Sequence, residues 1–114
     1  MIYMLGTELN ESLQPTTKPN IIFNFIDECF NKSKHFSIGI YTDEGNQITT
    51  YFPPLNNHDS EHIKRDFVIF VVNQTKIKKL NTDWAIDILN TYDSTNPTIQ
   101  AIITSLQRNN NDNF

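Results

Sequence analysis

The run Asp66-Phe67-Val68-Ile69-Phe70-Val71-Val72-Asn73 is the longest apolar stretch of the chain, and any fold must find cover for it. All six residues between its polar ends are β-branched or aromatic. Strand side chains alternate between faces, so a strand here would be apolar on both. A run of ~6 residues is short for a buried helix and ordinary for a strand. The pattern therefore predicts a central strand over Phe67–Val72, covered on its two faces.

Helical spacing appears on either side of that run. Pro19 suits the first turn of a helix, with Thr17 or Lys18 at the cap. Ile22, Phe25, Ile26, Cys29 and Phe30 then recur at i, i+3, i+4, i+7 and i+8 and form one apolar stripe, which Phe23 breaks. Lys32 and Lys34 follow where a helix dipole favours cations. Near the other end, Asn81 or Thr82 caps a helix whose apolar face is Trp84, Ala85, Ile88, Leu89 and Tyr92. Asn96 and Pro97 open a third, with Ile99, Ile102, Ile103 and Leu106 as its stripe.

Between the first helix and the central run lies a hairpin signal. Phe36, Ile38 and Ile40 alternate with Ser37, Gly39 and Tyr41; Ile48, Thr50 and Phe52 alternate with Thr49 and Tyr51. Gly45 and Asn46 tolerate the positive φ of the intervening turn, Thr42–Gln47. Pro53-Pro54 ends the second strand because proline cannot donate to a ladder. On this phase Ile48, Thr50 and Phe52 face the core, whereas Tyr41 and Tyr51 lie on the more polar face.

The expected class is α+β: a small single-layer, mainly antiparallel sheet (the hairpin plus the central strand) packed against three helices. Residues 1–18 are predicted to be a polar arm with a short edge strand at Ile2–Leu5. Residues 19–108 are predicted to be one α+β domain, with a polar segment from Leu55 to Arg65 that holds a short helical turn starting near Asp59 or Ser60, a linking loop from Gln74 to Leu80, and a flexible tail over 109–114. The expected core is Ile22, Ile26, Cys29, Phe30, Ile38, Ile40, Ile69, Val71, Trp84, Ile88, Ile102 and Leu106.

Charge and cysteine usage bear on function. Nine basic and thirteen acidic residues leave a formal charge of −4, and a general nucleic-acid binder normally carries a basic excess. Cys29 is the single cysteine, which excludes an internal disulfide and a multi-thiolate zinc site. A lone thiol fits a reducing compartment. No signal-peptide pattern opens the sequence and no stretch approaches the ~20 apolar residues of a membrane span. The expectation is a cytoplasmic protein with no membrane partner.

Three constellations carry chemical possibilities. His58-Asp59-Ser60-Glu61-His62 places two histidines at helical i, i+4 spacing and matches H-x-x-E-H, in which Glu61 would be a general base. A third protein ligand is not evident, and an exposed polar loop explains the same letters. Cys29 with His35 suggests a thiol–imidazole pair, but Cys29 falls on the apolar stripe, where cysteine behaves as a small hydrophobe. Tyr41 and Tyr51, with Lys32, Lys34, Lys64, Arg65, Lys76, Lys78 and Lys79 around them, fit an RNA-stacking sheet. With only Gly6, Gly39 and Gly45 in the chain, no Gly-rich phosphate loop exists.

What remains is a non-enzymatic protein–protein interaction protein, of the immunity or antitoxin-like inhibitor kind or a small subunit of a larger assembly. It needs no cofactor. Its binding residues would be Tyr41, Tyr51, Asp43 and Glu44, and its sheet edge would pair with a partner or with a second copy. The alternatives are an RNA-binding module and a small metal-dependent enzyme at His58, Glu61 and His62.

Overall fold

In the computed structural model, which describes residues 3–8, 15–54, 59–78 and 80–111, the elements follow one another as β1 (Tyr3–Glu8), α1 (Pro19–Asn31), β2 (Phe36–Tyr41), β3 (Gln47–Tyr51), α2 (Ser60–Lys78), α3 (Thr82–Asp93) and α4 (Pro97–Asn111). The class is α+β. Two compact units divide the chain, residues 1–67 and 68–114, so α2 begins in one and ends in the other.

The predicted central strand is a helix. Phe67–Val72 forms the middle of α2; the helical turn expected near Ser60 is its first turn and runs on without a break into the apolar run, and the predicted loop from Gln74 is helical up to Lys78. Ile63, Phe67, Val68, Val71, Val72 and Thr75 are buried, a stripe of helical period, while Ile69 is 50% exposed and Ile77 69% exposed. Asp59 caps the start by accepting the His62 N–H at 2.7 Å, and Glu61 lies in the first turn with Lys76 and Lys78 in the last. The physical reason is length. Four β-branched residues lose only about 2 kcal/mol of helix propensity, whereas each fully buried apolar side chain contributes ~1.5–3 kcal/mol. A nineteen-residue helix gathers six buried positions along one side. Thr75 satisfies its buried hydroxyl by donating to the Val71 carbonyl at 2.8 Å.

In the first unit, β1, β2 and β3 form an antiparallel sheet in that order. β1 is longer than the predicted edge strand and runs to Glu8, and Thr16 bridges back to Met4. Met4, Gly6, Ile38, Ile40, Thr49 and Tyr51 share one sheet face through the pairs Met4↔Ile40, Gly6↔Ile38, Ile40↔Thr49 and Ile38↔Tyr51. α1 packs on that face. A Cβ at Gly6 would lie 2.6 Å from the Phe25 ring, so glycine is what lets the helix approach. Phe25 meets Phe36 edge-on at 5.5 Å, and Phe67 takes Phe23 at 6.2 Å and Tyr51 at 5.2 Å in the same manner. Phe23, which broke the predicted stripe, is therefore core, and Phe30 is half-buried.

α1 ends as a Schellman turn. The Ser33 N–H donates to the Phe30 carbonyl and the Lys34 N–H to the Cys29 carbonyl, with Ser33 at φ 53° in the left-handed region. In the second unit Asn81 caps α3 by accepting the Asp83 N–H at 2.8 Å, and Asn96 caps α4 by accepting from Thr98 at 2.9 Å. The two helices pack together. Ala85, Ile88, Leu89, Ile99, Ile103 and Leu106 are buried, whereas Trp84 and Ile102 are half-buried rather than core. The predicted tail is helical to Asn111; residues 112–114 lie outside the described set, as does the 9–14 part of the predicted arm.

Candidate functional site

The hairpin is where the structure departs from the predicted phase in a way that matters for binding. β2 and β3 pair as Ile40↔Thr49 and then Tyr41↔Gln47, so Ile48 is an extra residue, a β-bulge. Side chains alternate with period two, so one inserted residue exchanges the faces of everything beyond it. Tyr51 and Thr49 consequently face α1, and Phe52, expected inside, is 72% exposed.

Tyr51 is 2% exposed and so has no ring face for a base or a partner, which corrects its placement as a surface residue. Its hydroxyl donates to Asp66 Oδ2 at 2.8 Å, with the Ile63 carbonyl oxygen a more distant neighbour at 3.4 Å. Burial, and then the adjacent carboxylate, push the phenol well above its ordinary range. Tyr51 thus ties β3 to the first turns of α2.

Tyr41 does stay on the outer face and is half-buried there. Its ring covers Gly39, where an added Cβ would lie 2.7 Å from Tyr41 Cε2. An aromatic residue two positions from a strand glycine is the sequence signal for this cover. Asp43 and Glu44 are exposed at the hairpin tip, where Thr42 and Asn46 close the turn with a 2.9 Å backbone hydrogen bond. Three of the four predicted binding residues therefore gather at one end of the hairpin.

The same end belongs to an open edge. Among the described residues β3 has a strand neighbour on one side only. The opposite edge differs, because Met4 and Thr16 exchange backbone hydrogen bonds at 2.8 and 2.9 Å. β3 carries Ile48, Thr49 and Thr50, all half-buried, and no charged residue. Lysine, one of the usual guards of an exposed edge, is missing from it.

The histidine motif sits at the start of α2. His58 lies outside the described residues; Glu61 and His62 are exposed in the first turn, and Asp59 serves as the cap. Glu61 is engaged with Lys64 at 3.1 Å, and Lys64 also reaches Asp27 at 2.9 Å. Burial opposes the Lys64 charge, but its two carboxylate partners outweigh it and hold its pKa above the ordinary value. Among the described residues no group of three His, Cys, Asp or Glu side chains could hold a metal ion. Lys32 pairs with Glu28 at 2.9 Å, and Lys76 and Lys78 stand on α2 instead of in a loop; Lys79 is outside the described residues.

Cys29 and His35 do meet at one cleft, of about 560 Å³, at the C-terminal end of α1. Cys29 is 2% exposed within it, which suits packing better than nucleophilic attack. Among the described residues no helix is long and apolar enough to cross a membrane. Compared with known proteins, the chain matches no family model, no curated protein and no solved structure.

Proposed function

We propose that this chain is a non-enzymatic binding protein whose β3 edge accepts an extended strand of a second protein. The observation that carries the reading is the side of β3 that has no strand neighbour among the described residues, bordered by exposed Phe52 at one end and the acidic Asp43-Glu44 tip at the other. Main-chain pairing along such an edge supplies affinity, and neighbouring side chains supply selectivity. Tyr41 offers the outer-face aromatic contact. The formal charge of −4 favours a basic partner and a fast encounter with it. An inhibitor of a basic protein, in the manner of immunity proteins and antitoxins, suits these features, with action in the cytoplasm.

Stacking on RNA is less well supported, because only one of the two proposed rings reaches the surface. The test is quantitative capture from the native host with wild-type bait and with a Thr50→Lys/Phe52→Lys double variant of matched stability. The lysines introduce the edge guard that β3 lacks. A stoichiometric basic partner held by wild type and lost by the variant supports the reading. Retention by the variant, capture of RNA alone, or pairing only with a second copy of this chain overturns it.

A further inference from the structure

We propose that Phe67–Val72 is a concealed self-association segment: when α2 opens, it pairs as an extended strand with the same segment of a second copy of this chain and seeds a cross-β assembly. It belongs to the opened chain and is independent of the β3 edge of the folded one. All six residues are β-branched or aromatic, and no other stretch of six in the chain lacks both polar residues and glycine. Six such residues without charge or proline are what tightly interdigitated cross-β sheets are built from. As a strand the segment offers two apolar faces, Phe67, Ile69 and Val71 on one and Val68, Phe70 and Val72 on the other.

Burial, not local preference, holds the segment helical. β-branched side chains lose freedom in a helix and fit a strand better, as aromatic ones do. Against that, α2 buries Phe67, Val68, Val71 and Val72, with Phe23 and Tyr51 edge-on to Phe67 at 6.2 and 5.2 Å. The boundary between the two compact units falls between Phe67 and Val68, so neither unit holds the whole segment. Opening of either one releases part of it, whereas the closed helix satisfies its own backbone and presents no strand edge. The nearest charges, Arg65 and Asp66 before it and Lys76 after it, flank the segment without entering it. Ile69 separates the two states. In the helix it is 50% exposed, whereas in a stack it is enclosed, with copies about 4.7–4.8 Å apart. Lysine there is a good helix former whose stem covers the same surface, yet it sets a column of like charges into a dry interface.

The test incubates the full chain and its variants, each at its own urea midpoint so that all are equally unfolded. Assembly is followed by thioflavin T fluorescence, fibre diffraction, and mass spectrometry of the protease-resistant core. Wild type should form fibrils with a reflection at about 4.7 Å and a protected core that includes Phe67–Val72. Ile69→Lys should lengthen the lag at least about tenfold, and Ile69→Val should leave it within about twofold. Ile77→Lys adds the same charge at a 69% exposed position outside the segment and should also leave the lag within about twofold. Absence of fibrils in wild type, a core elsewhere, a lag unchanged by Ile69→Lys, or one lengthened equally by Ile77→Lys or Ile69→Val would each overturn the assignment.

Discussion

Replacing Tyr51 by Phe removes one oxygen from the core and leaves the ring, with its edge-on contact to Phe67 at 5.2 Å, in place. What is lost is the 2.8 Å bond to Asp66. A hydrogen bond to a charged group contributes about 1.5–3 kcal/mol net. Asp66 is half-buried and regains part of its hydration, so the expected loss is about 1–2 kcal/mol at neutral pH. In thermal unfolding that is a fall of roughly 4–8 °C.

The pH dependence makes the test sharper. Burial, followed by the Asp66 carboxylate, raises the folded phenol's pKa, whereas an unfolded tyrosine ionises near about 10. Above that pH the unfolded state binds fewer protons than the folded one. The stabilisation is thus complete below about pH 10 and declines as pH rises, by up to about 1.4 kcal/mol per unit. The Phe variant has no such proton to lose. Urea titrations of both proteins at pH 7, 10 and 11 should show the wild-type advantage shrinking by about 1 kcal/mol at the alkaline end. A difference that stays constant from pH 7 to 11, or a variant as stable as wild type at pH 7, would refute the Tyr51–Asp66 link.

The helical assignment of α2 is tested by Val71→Ala and Ile69→Ala: a strand would bury the two together, whereas the helix buries Val71 and leaves Ile69 half in water. Urea unfolding should give about 2 kcal/mol for the first and under about 1 kcal/mol for the second, where Ala is the better helix former; equal losses would restore the strand. Gly6→Ala should destabilise by about 1–3 kcal/mol through the Phe25 ring, and Phe25→Leu in the same chain should recover part of it. Ser33→Gly should stabilise by about 0.5–1 kcal/mol, since relief of the left-handed backbone exceeds glycine's extra unfolded entropy; a loss of stability would mean that the Ser33 side chain is itself needed.

Caps and stripes were legible in the sequence because they are local. Pro19, Asn81 and Asn96 each start a helix where their chemistry places it. The hairpin turn was legible for the same reason. The apolar run was misread because its six residues satisfy either period, and the deciding positions, Ile63 and Thr75, lie beyond it among polar neighbours. The phase of β3 was hidden by a bulge that leaves no composition signal, and that single residue carried Tyr51 from the predicted binding set into the core. Tyr41, Asp43 and Glu44 stayed at the surface because they precede the bulge.

Amide hydrogen exchange on the complex with the captured partner tests the docking claim most directly. If a partner strand lies along β3, outward-facing amides within Gln47–Tyr51 should exchange at least tenfold more slowly in the complex than in the free chain, with little change along β1. Unaltered exchange over Gln47–Tyr51 in a saturated complex would contradict strand addition at this edge.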